Sequence, residues 1–416
     1  AERPDAAAPL ALAAARRAQG LGGLATARGL LEEGVVMLDA EHPLRGAFMA
    51  TLGEAHRQAG ETMQALACLL EARGRVPAGP DRPAAALALA RVLTQLGRTE
   101  EACASWREAA GHAQGQGDVD LFALALAGLT EAQLALGLLD EALGSGEAAA
   151  GAAQDAAPQP RALALAALGA VLAVGQRERQ AEGVALLQQA SALFEAEGDR
   201  PRLARTLLAL GDAELARGEL LFARTSAERA MALAQDLDDG QAQLAACLQA
   251  TAVALGLGDH AGAMARAAEA RKLAESRRDA AGVAEAQAAE GLAQTLAGDT
   301  EPGLALGGEA IRRLPAGAAP VVVARVWLAH AEAAIAAGRY PEAAHALHMA
   351  AAPSKDRPDL AGRRSYLLGL WAARTGDRER ARQELRAVLA QPNLHLVALA
   401  ALRLGGLAIE AGARAE

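Results

Sequence analysis

The sequence is poor in aromatic residues and cysteine, and each shortage limits what the chain can be. Phe, Trp and Tyr make up only 2% of the 416 residues, although hydrophobic residues make up 52%. The apolar content is therefore mostly Ala, Leu and Val, small side chains that suit closely packed helices and supply few bulky core anchors. The three cysteines, Cys68, Cys103 and Cys247, have no CxxC spacing and cannot all pair. A disulfide framework is therefore not expected, and a reducing, cytoplasmic location is predicted.

Positive charge is also scarce. Lysine occurs only at Lys272 and Lys355, and the formal net charge is −9. Binding to a nucleic-acid backbone needs clustered cations, so direct nucleic-acid binding is not expected. The sequence also lacks an apolar run of the roughly 18 uncharged residues that cross a bilayer. No membrane partner is predicted.

Motifs that carry chemistry are missing as well. The sequence contains no P-loop, GxGxxG, HExxH, GxSxG or EF-hand pattern, so we expect no enzymatic activity, no cofactor and no metal. His345 and His348 have metal-ligand spacing on one helix face. We interpret them as structural histidines, with a metal site completed from a neighbouring repeat as the alternative.

Glycine, in contrast, recurs at a nearly fixed interval. Eleven glycines lie about 39 residues apart on average, which predicts one small unit copied end to end. We predict a single solenoid over residues 1–416, with a final unpaired helix over 394–411. That helix is either a terminal cap or the first half of a further unit. The predicted turn glycines are Gly22, Gly60, Gly97, Gly137, Gly175, Gly218, Gly258, Gly298, Gly338, Gly376 and Gly412.

The clearest copy of the unit spans residues 47–77 and reads AFMATLGEAHRQAGETMQALACLLEARGRVP. Its signature positions around Gly60 are Leu52, Gly53, Ala65, Leu69, Ala72 and Pro77. These residues resemble the tetratricopeptide repeat, a helix-turn-helix unit in which small residues let helix A approach helix B. Repeats of this greater length are similar to those of kinesin light chains, of LGN, of bacterial maltose-regulator-type activators and of peptide-sensing regulators.

The resemblance implies an all-α fold, a right-handed α-α superhelix of about ten helix-turn-helix repeats plus a terminal helix. Two places are predicted to depart from the common unit. The interval from Gly175 to Gly218 is longer than the others, and its extra residues around 177–180 predict a local bulge. Gly303 and Gly307 occupy helix B positions that usually hold larger residues, so that helix is predicted to be the loosest of the array.

The resemblance also implies that ligands lie in a concave groove formed by successive A helices. Its positions predict an apolar floor with charged edges, a surface that suits a helix or extended segment of a partner protein. The alternative is that the leucines only pack one A helix on the next. The predicted groove residues are Arg57, Leu87, Arg91, Glu131, Leu165, Arg205, Leu208, Asp212, Leu248, Arg325, Leu328, Glu332 and Tyr366, with Glu54 and Arg363 beside them.

These expectations together predict a non-catalytic scaffold for protein–protein interaction. It would be free-standing or the sensor arm of a larger bacterial signalling or transcription regulator. Three alternatives remain: a sensor of a small ligand or peptide, an accessory repeat region of an enzyme whose catalytic domain is not in this chain, and self-association through the terminal repeat.

Overall fold

The computed structural model describes residues 4–76, 81–355 and 357–412. Within these ranges the regular structure is helical and contains no strand, which confirms the predicted all-α array of helix pairs. The chain divides into two compact units, residues 1–168 (unit 1) and 169–416 (unit 2). A single solenoid over 1–416 stays a prediction.

The helices of unit 1 are α1 Pro4–Gly20, α2 Leu24–Met37, α3 Arg45–Gln58, α4 Thr62–Arg73, α5 Asp81–Gln95, α6 Thr99–Gln116, α7 Val119–Ala135 and α8 Leu139–Ala152, and α9 Pro158–Gly175 contains the boundary. Those of unit 2 are α10 Gln180–Glu197, α11 Arg200–Arg217, α12 Leu220–Asp236, α13 Gly240–Gly256, α14 His260–Ser276, α15 Ala280–Leu296, α16 Thr300–Arg313, α17 Pro320–Ala336, α18 Tyr340–Met349, α19 Pro358–Thr375, α20 Arg378–Leu389 and α21 Leu394–Gly412.

Most of the predicted glycines make the turn from helix A to helix B. They adopt the left-handed backbone conformation with positive φ, which glycine reaches without a Cβ clash. Gly175 instead ends α9 without positive φ, and Gly412 is the last residue described. The predicted glycines with positive φ are Gly22, Gly60, Gly97, Gly137, Gly218, Gly258, Gly298, Gly338 and Gly376.

A second kind of turn leads from helix B to the next helix A. Here a left-handed residue is followed at once by an aspartate whose carboxylate accepts a hydrogen bond from the first helical turn. Asp238 and Arg278 adopt φ of 52° and 57° at this position, where other copies use glycine. The four turns are Gly117-Asp118, Gly198-Asp199, Asp238-Asp239 and Arg278-Asp279.

Within each unit, the first helices of successive pairs contact one another. These A helices are α1, α3, α5 and α7 in unit 1 and α11, α13, α15, α17, α19 and α21 in unit 2. Among the described residues, successive second helices do not approach each other to a similar extent. The A helices therefore form an inner layer and the B helices an outer layer. Alanine and leucine fill the space between them, and Phe48 and Phe194 are the largest fully buried side chains.

The pair α15–α16 corrects one expectation, because the helix that carries Gly303 and Gly307 makes the most extensive contact among the helix pairs whose contacts the structure describes. A Cβ atom on Gly303 would lie 2.6 Å from the carbonyl oxygen of Gly291, and one on Gly291 would lie 2.6 Å from that of Gly303. Glycine lets the two backbones touch at this crossing. The prediction of a loose helix is therefore wrong.

By length and composition, α9 is apolar enough to cross a membrane, and half of it is buried within the structure. A core helix of a soluble protein meets the same criteria. This single helix is therefore weak evidence for a membrane span.

Candidate functional site

The predicted groove residues of unit 1 lie on α3, α5, α7 and α9. Arg57 forms a two-point ion pair with Glu54, one turn earlier on α3, with nitrogen–oxygen distances of 2.6 and 2.8 Å. The hydrogen bonds that Arg57 donates to this carboxylate raise the pKa of Arg57. The other members are the buried Leu87, the half-buried Arg91 and Leu165, and the exposed Glu131.

In unit 2 the predicted apolar column separates into two kinds of position. Leu208 on α11 and Leu248 on α13 are half-buried and reach the surface. Leu328 is fully buried in the core. Tyr366 is also buried, and this burial raises the pKa of its hydroxyl group, against the effect of Arg403 on α21, which lowers it. Only the first two leucines are therefore placed to contact a ligand without rearrangement.

The predicted flanking charges Glu332 and Arg363 pair with each other. Arg363 Nη2 on α19 lies 2.7 Å from Glu332 Oε2 on α17, and both side chains are half-exposed. This ion pair links two successive A helices. It leaves neither charge unpaired for a ligand.

A buried amide fixes the next predicted residue, Asp212. Gln249 Nε2 on α13 donates to Asp212 Oδ1 and to the carbonyl oxygen of Leu208, each at 2.7 Å. Gly211 makes room for this amide, since a Cβ there would lie 2.5 Å from Gln249 Oε1. The two hydrogen bonds hold α11 and α13 together and fix the direction of the Asp212 carboxylate.

Two further ion pairs lie on the A helices that follow. Arg325 Nη1 on α17 lies 2.9 Å from Glu285 Oε1 on α15. Arg357, which precedes α19, donates two hydrogen bonds of 3.0 Å to Asp359 in its first turn. A carboxylate near a helix N-terminus is also favoured by the helix dipole. We call Asp212, Gln249, Glu285, Arg325, Arg357 and Asp359 the inner charge cluster.

These charges act on one another across unit 2. Protein around Asp212 raises the pKa of its carboxyl group, against the hydrogen bond from Gln249 and the charge of Arg325, both of which lower it. The charges of Arg357 and Asp359 act on the same carboxyl group in opposite directions. The Asp212 side chain is nevertheless accessible to water. It therefore lies in a solvent-filled recess walled by protein, not in the packed core.

Burial lowers the pKa of Arg325, but the carboxylates of Glu285, Asp212 and Asp359 outweigh that effect and raise it. The guanidinium therefore stays charged. Asp212 on α11 interacts electrostatically with Arg325 on α17 and with Asp359 on α19. The residues of the inner charge cluster are therefore electrostatically coupled.

Unit 2 also closes on itself. Arg177 Nη1 donates to the carbonyl oxygen of Leu389, and Gln180 Nε2 donates to that of Pro392, both at 2.7 Å and both across 212 residues of sequence. The terminal helix α21 packs against α11, and His395 lies beside Gly218. We call this junction of residues 177–180 with 389–395 the closing contact. The extra residues predicted to form a bulge make a short 3-10 helix, Arg177–Arg179, within it.

Sequence reasoning missed four members of the inner charge cluster. Gln249 directly follows the predicted Leu248 but lies outside the columns considered. Glu285 occupies in α15 the position that the predicted Arg205 and Arg325 occupy in α11 and α17, whereas Arg357 and Asp359 lie at the start of α19. No local spacing indicates that these residues meet Asp212. Only the closed arrangement of unit 2 brings them together.

The histidines considered as metal ligands have another environment. The His345 ring packs edge-on against Trp327, with ring centres 5.7 Å apart. In the part of the chain that the structure describes, no group of three His, Cys, Asp or Glu side chains is arranged to hold a metal ion.

Comparison with known proteins places this fold. No protein-family model and no curated protein matches the sequence. Among solved structures, a Rap protein complexed with competence and sporulation factor superimposes with a TM-score of 0.61 over 80% of this chain and 92% of its own, at 13% identity. A signal transduction ATPase with numerous domains from Pyrococcus horikoshii, which has a tetratricopeptide repeat sensor, gives a TM-score of 0.51. The chain has a tetratricopeptide-type repeat fold.

The second likeness covers 78% of this chain and 52% of the ATPase, at 14% identity. Identities this low concern the fold alone. They agree with the resemblance seen at residues 47–77 and with the inner layer of A helices. The tetratricopeptide-type architecture is therefore supported independently by sequence and by structure.

Proposed function

We propose that this chain is a non-catalytic binding protein whose unit 2 holds a peptide segment of a partner protein on its inner face. The observation that carries the proposal is the inner charge cluster, which lies in a water-accessible recess beside the half-buried Leu208 and Leu248. Such a surface combines apolar contact with fixed charges. Those are the two elements from which peptide-binding grooves gain affinity and orientation.

The position of the charges supports binding more than stability. Exposed ion pairs add little to folding free energy, whereas charges held in a protein-walled recess interact strongly with a ligand that displaces water. Arg325 and Asp212 are kept in such a recess, and hydrogen bonds fix both. The likeness to a Rap protein complexed with competence and sporulation factor gives further support to ligand binding by this fold.

We also propose a cytoplasmic, bacterial sensor or regulatory role, in keeping with the tetratricopeptide repeat sensor of the similar ATPase. A small-ligand sensor is the second candidate, since the fixed charges of the recess also suit a small charged molecule. An accessory role beside a catalytic domain and self-association stay predictions.

The test begins with peptides that bind the full chain, selected from a displayed random library. We expect Leu208→Arg and Leu248→Arg each to weaken their binding by at least about tenfold, because an arginine both removes apolar contact and adds a charge that must be desolvated. Leu221→Arg is the matched control, since Leu221 is 60% exposed on the outer helix α12. Leu208→Ala provides a milder change, and far-UV circular dichroism checks the fold of each variant.

If the folded Leu208 and Leu248 variants bind as the wild type does, the inner face of unit 2 is not the binding surface. If Leu221→Arg weakens binding to the same degree, the ligand lies on the outer layer instead.

A further inference from the structure

Helix α11 carries an exposed cation, Arg205, and a water-accessible anion, Asp212, that have no ionic partner among the described residues. Arg205 is exposed and makes no hydrogen bond or ion pair with any residue that the structure describes. Asp212 accepts a hydrogen bond from Gln249 and, within the same ranges, pairs with no cation. The two cations that act on it, Arg325 and Arg357, are each engaged by a carboxylate of their own.

These two charges lie on the same side of α11. They are seven residues apart, which is two helical turns, or about 10 Å along the axis at about 1.5 Å per residue. Leu208 lies between them on that side and is half-buried. The inner face of α11 therefore presents, in order, a guanidinium, an apolar side chain and a carboxylate, and neither charge has an ionic partner among the described residues.

A ligand that contacts all three groups must cover about 10 Å along α11. A helix covers that distance with about seven residues, and isolated helices shorter than about 12–15 residues are marginal in water. An extended segment covers it with fewer residues, so it is the simpler occupant.

We propose that the ligand of unit 2 is an extended peptide segment with a basic and an acidic side chain three or four residues apart and an apolar side chain between them. The basic group pairs with Asp212, the acidic group with Arg205, and the apolar group contacts Leu208. An extended chain advances about 3.3 Å per residue, so three or four residues cover the distance between the two charges on α11. The inference rests on the proposed function and names its ligand class.

The proposed pairing has a physical advantage over a ligand of one charge sign. A wholly acidic segment would meet the carboxylates of Asp212, Asp359 and Glu285. A wholly basic one would meet Arg205 and Arg325. Like charges brought together in a recess from which water is displaced repel strongly, so both kinds of segment are disfavoured.

The experiment uses random heptapeptides displayed on phage. They are selected on the full wild-type chain and counter-selected on Leu208→Arg, so that the survivors depend on the inner face. We expect survivors enriched in Lys or Arg three or four residues from Asp or Glu. Repeating the selection on Asp212→Asn removes the preference for the basic residue, and repeating it on Arg205→Gln removes the preference for the acidic residue. Asparagine still accepts the hydrogen bond from Gln249, so the fold is kept.

For a synthetic peptide taken from the survivors, each neutralisation is expected to lower affinity by about tenfold, the usual effect of losing one charge-assisted hydrogen bond. Arg224→Gln is the matched control. Arg224 is exposed on the outer helix α12, and its ion pair with Glu228 is long at 4.0 Å. This variant is expected to leave both the affinity and the selected sequences unchanged.

Two failures are distinguishable. If no peptide survives the counter-selection, binding on the inner face fails and the proposed function fails with it. If peptides survive but lack paired opposite charges, or keep the same preferences on Asp212→Asn and Arg205→Gln, the inner face binds peptides and the inferred ligand class is wrong.

Discussion

The contact between α15 and α16 allows a sharp test, because two glycines of α16 have opposite surroundings. A methyl group on Gly303 would lie 2.6 Å from the carbonyl oxygen of Gly291 and 2.7 Å from the backbone nitrogen of Thr295. A methyl group on Gly308 would meet only the Nη1 atom of Arg312, at 3.7 Å. We expect Gly303→Ala to destabilise unit 2 and Gly308→Ala to stabilise it.

The magnitude follows from the distances. Ordinary contact begins at 3.4 Å, so relieving a 2.6 Å approach requires α15 and α16 to separate by about 0.8 Å at this point. Besides the Thr295 hydroxyl, the atoms in the way belong to the backbone and cannot rotate aside. Overpacking of this kind destabilises the fold by about 3 kcal/mol, and the better helix propensity of alanine stabilises it by about 1 kcal/mol. The net expectation is a loss of about 2 kcal/mol for Gly303→Ala and a gain of about 0.5–1 kcal/mol for Gly308→Ala.

The assay is urea unfolding of the full chain, followed by circular dichroism, with the midpoint and slope of each variant compared with wild type. The pair of variants controls for helix propensity, which is the same at both positions. If Gly303→Ala is as stable as Gly308→Ala, then α16 does not pack backbone against backbone, and the close contact described for it is refuted.

Three further predictions use the same assay. Arg278→Gly should stabilise the fold by about 0.5–1 kcal/mol, because Arg278 is exposed and has positive φ at a position where equivalent turns carry glycine. An unchanged free energy of unfolding would show that Arg278 is not strained. Gln180→Ala should cost about 1–3 kcal/mol by leaving the carbonyl oxygens of Ala173 and Pro392 without its hydrogen bonds, whereas Glu178→Ala, at an exposed position of the same segment, should change stability by less than about 0.5 kcal/mol. Burial raises the pKa of Glu214 above its usual 4.5, so the stability that its protonated form contributes is lost as pH rises. The Glu214→Gln variant should therefore be more stable to unfolding than wild type at pH 7, and the difference should disappear toward pH 4. A stability difference that does not change with pH would contradict this prediction.

The turns show which parts of the fold can be predicted from the sequence. A turn from helix A to helix B needs a left-handed residue, glycine adopts that conformation most easily, and so the turns at Gly60 or Gly218 are readable from spacing alone. The turns from helix B to helix A use the same conformation, but Asp238 and Arg278 fill two of those positions. Without glycine they carry no signal, and the aspartate caps after them become evident only in the structure.

The candidate site was harder to predict than the fold. Helical periodicity places Leu208 and Asp212 on one side of α11, and the structure finds both accessible there. The same periodicity cannot show that Leu328 is buried, because its exposure depends on how closely neighbouring helices approach. Nor can it associate Asp212 with Arg357, since that proximity depends on unit 2 closing on itself. Local sequence determines the helix pairs, whereas long-range packing determines which of their side chains meet.

The closing contact also limits how unit 2 can change in length. An open row of repeats tolerates duplication or loss of a copy, since each copy touches only its neighbours. Inserting or deleting one copy between α11 and α19 would separate Gln180 from Pro392 and move Arg357 away from Asp212. The copy number of unit 2 is therefore fixed by its circumference. Repeats could be added or removed in this segment only at the expense of both the junction and the recess.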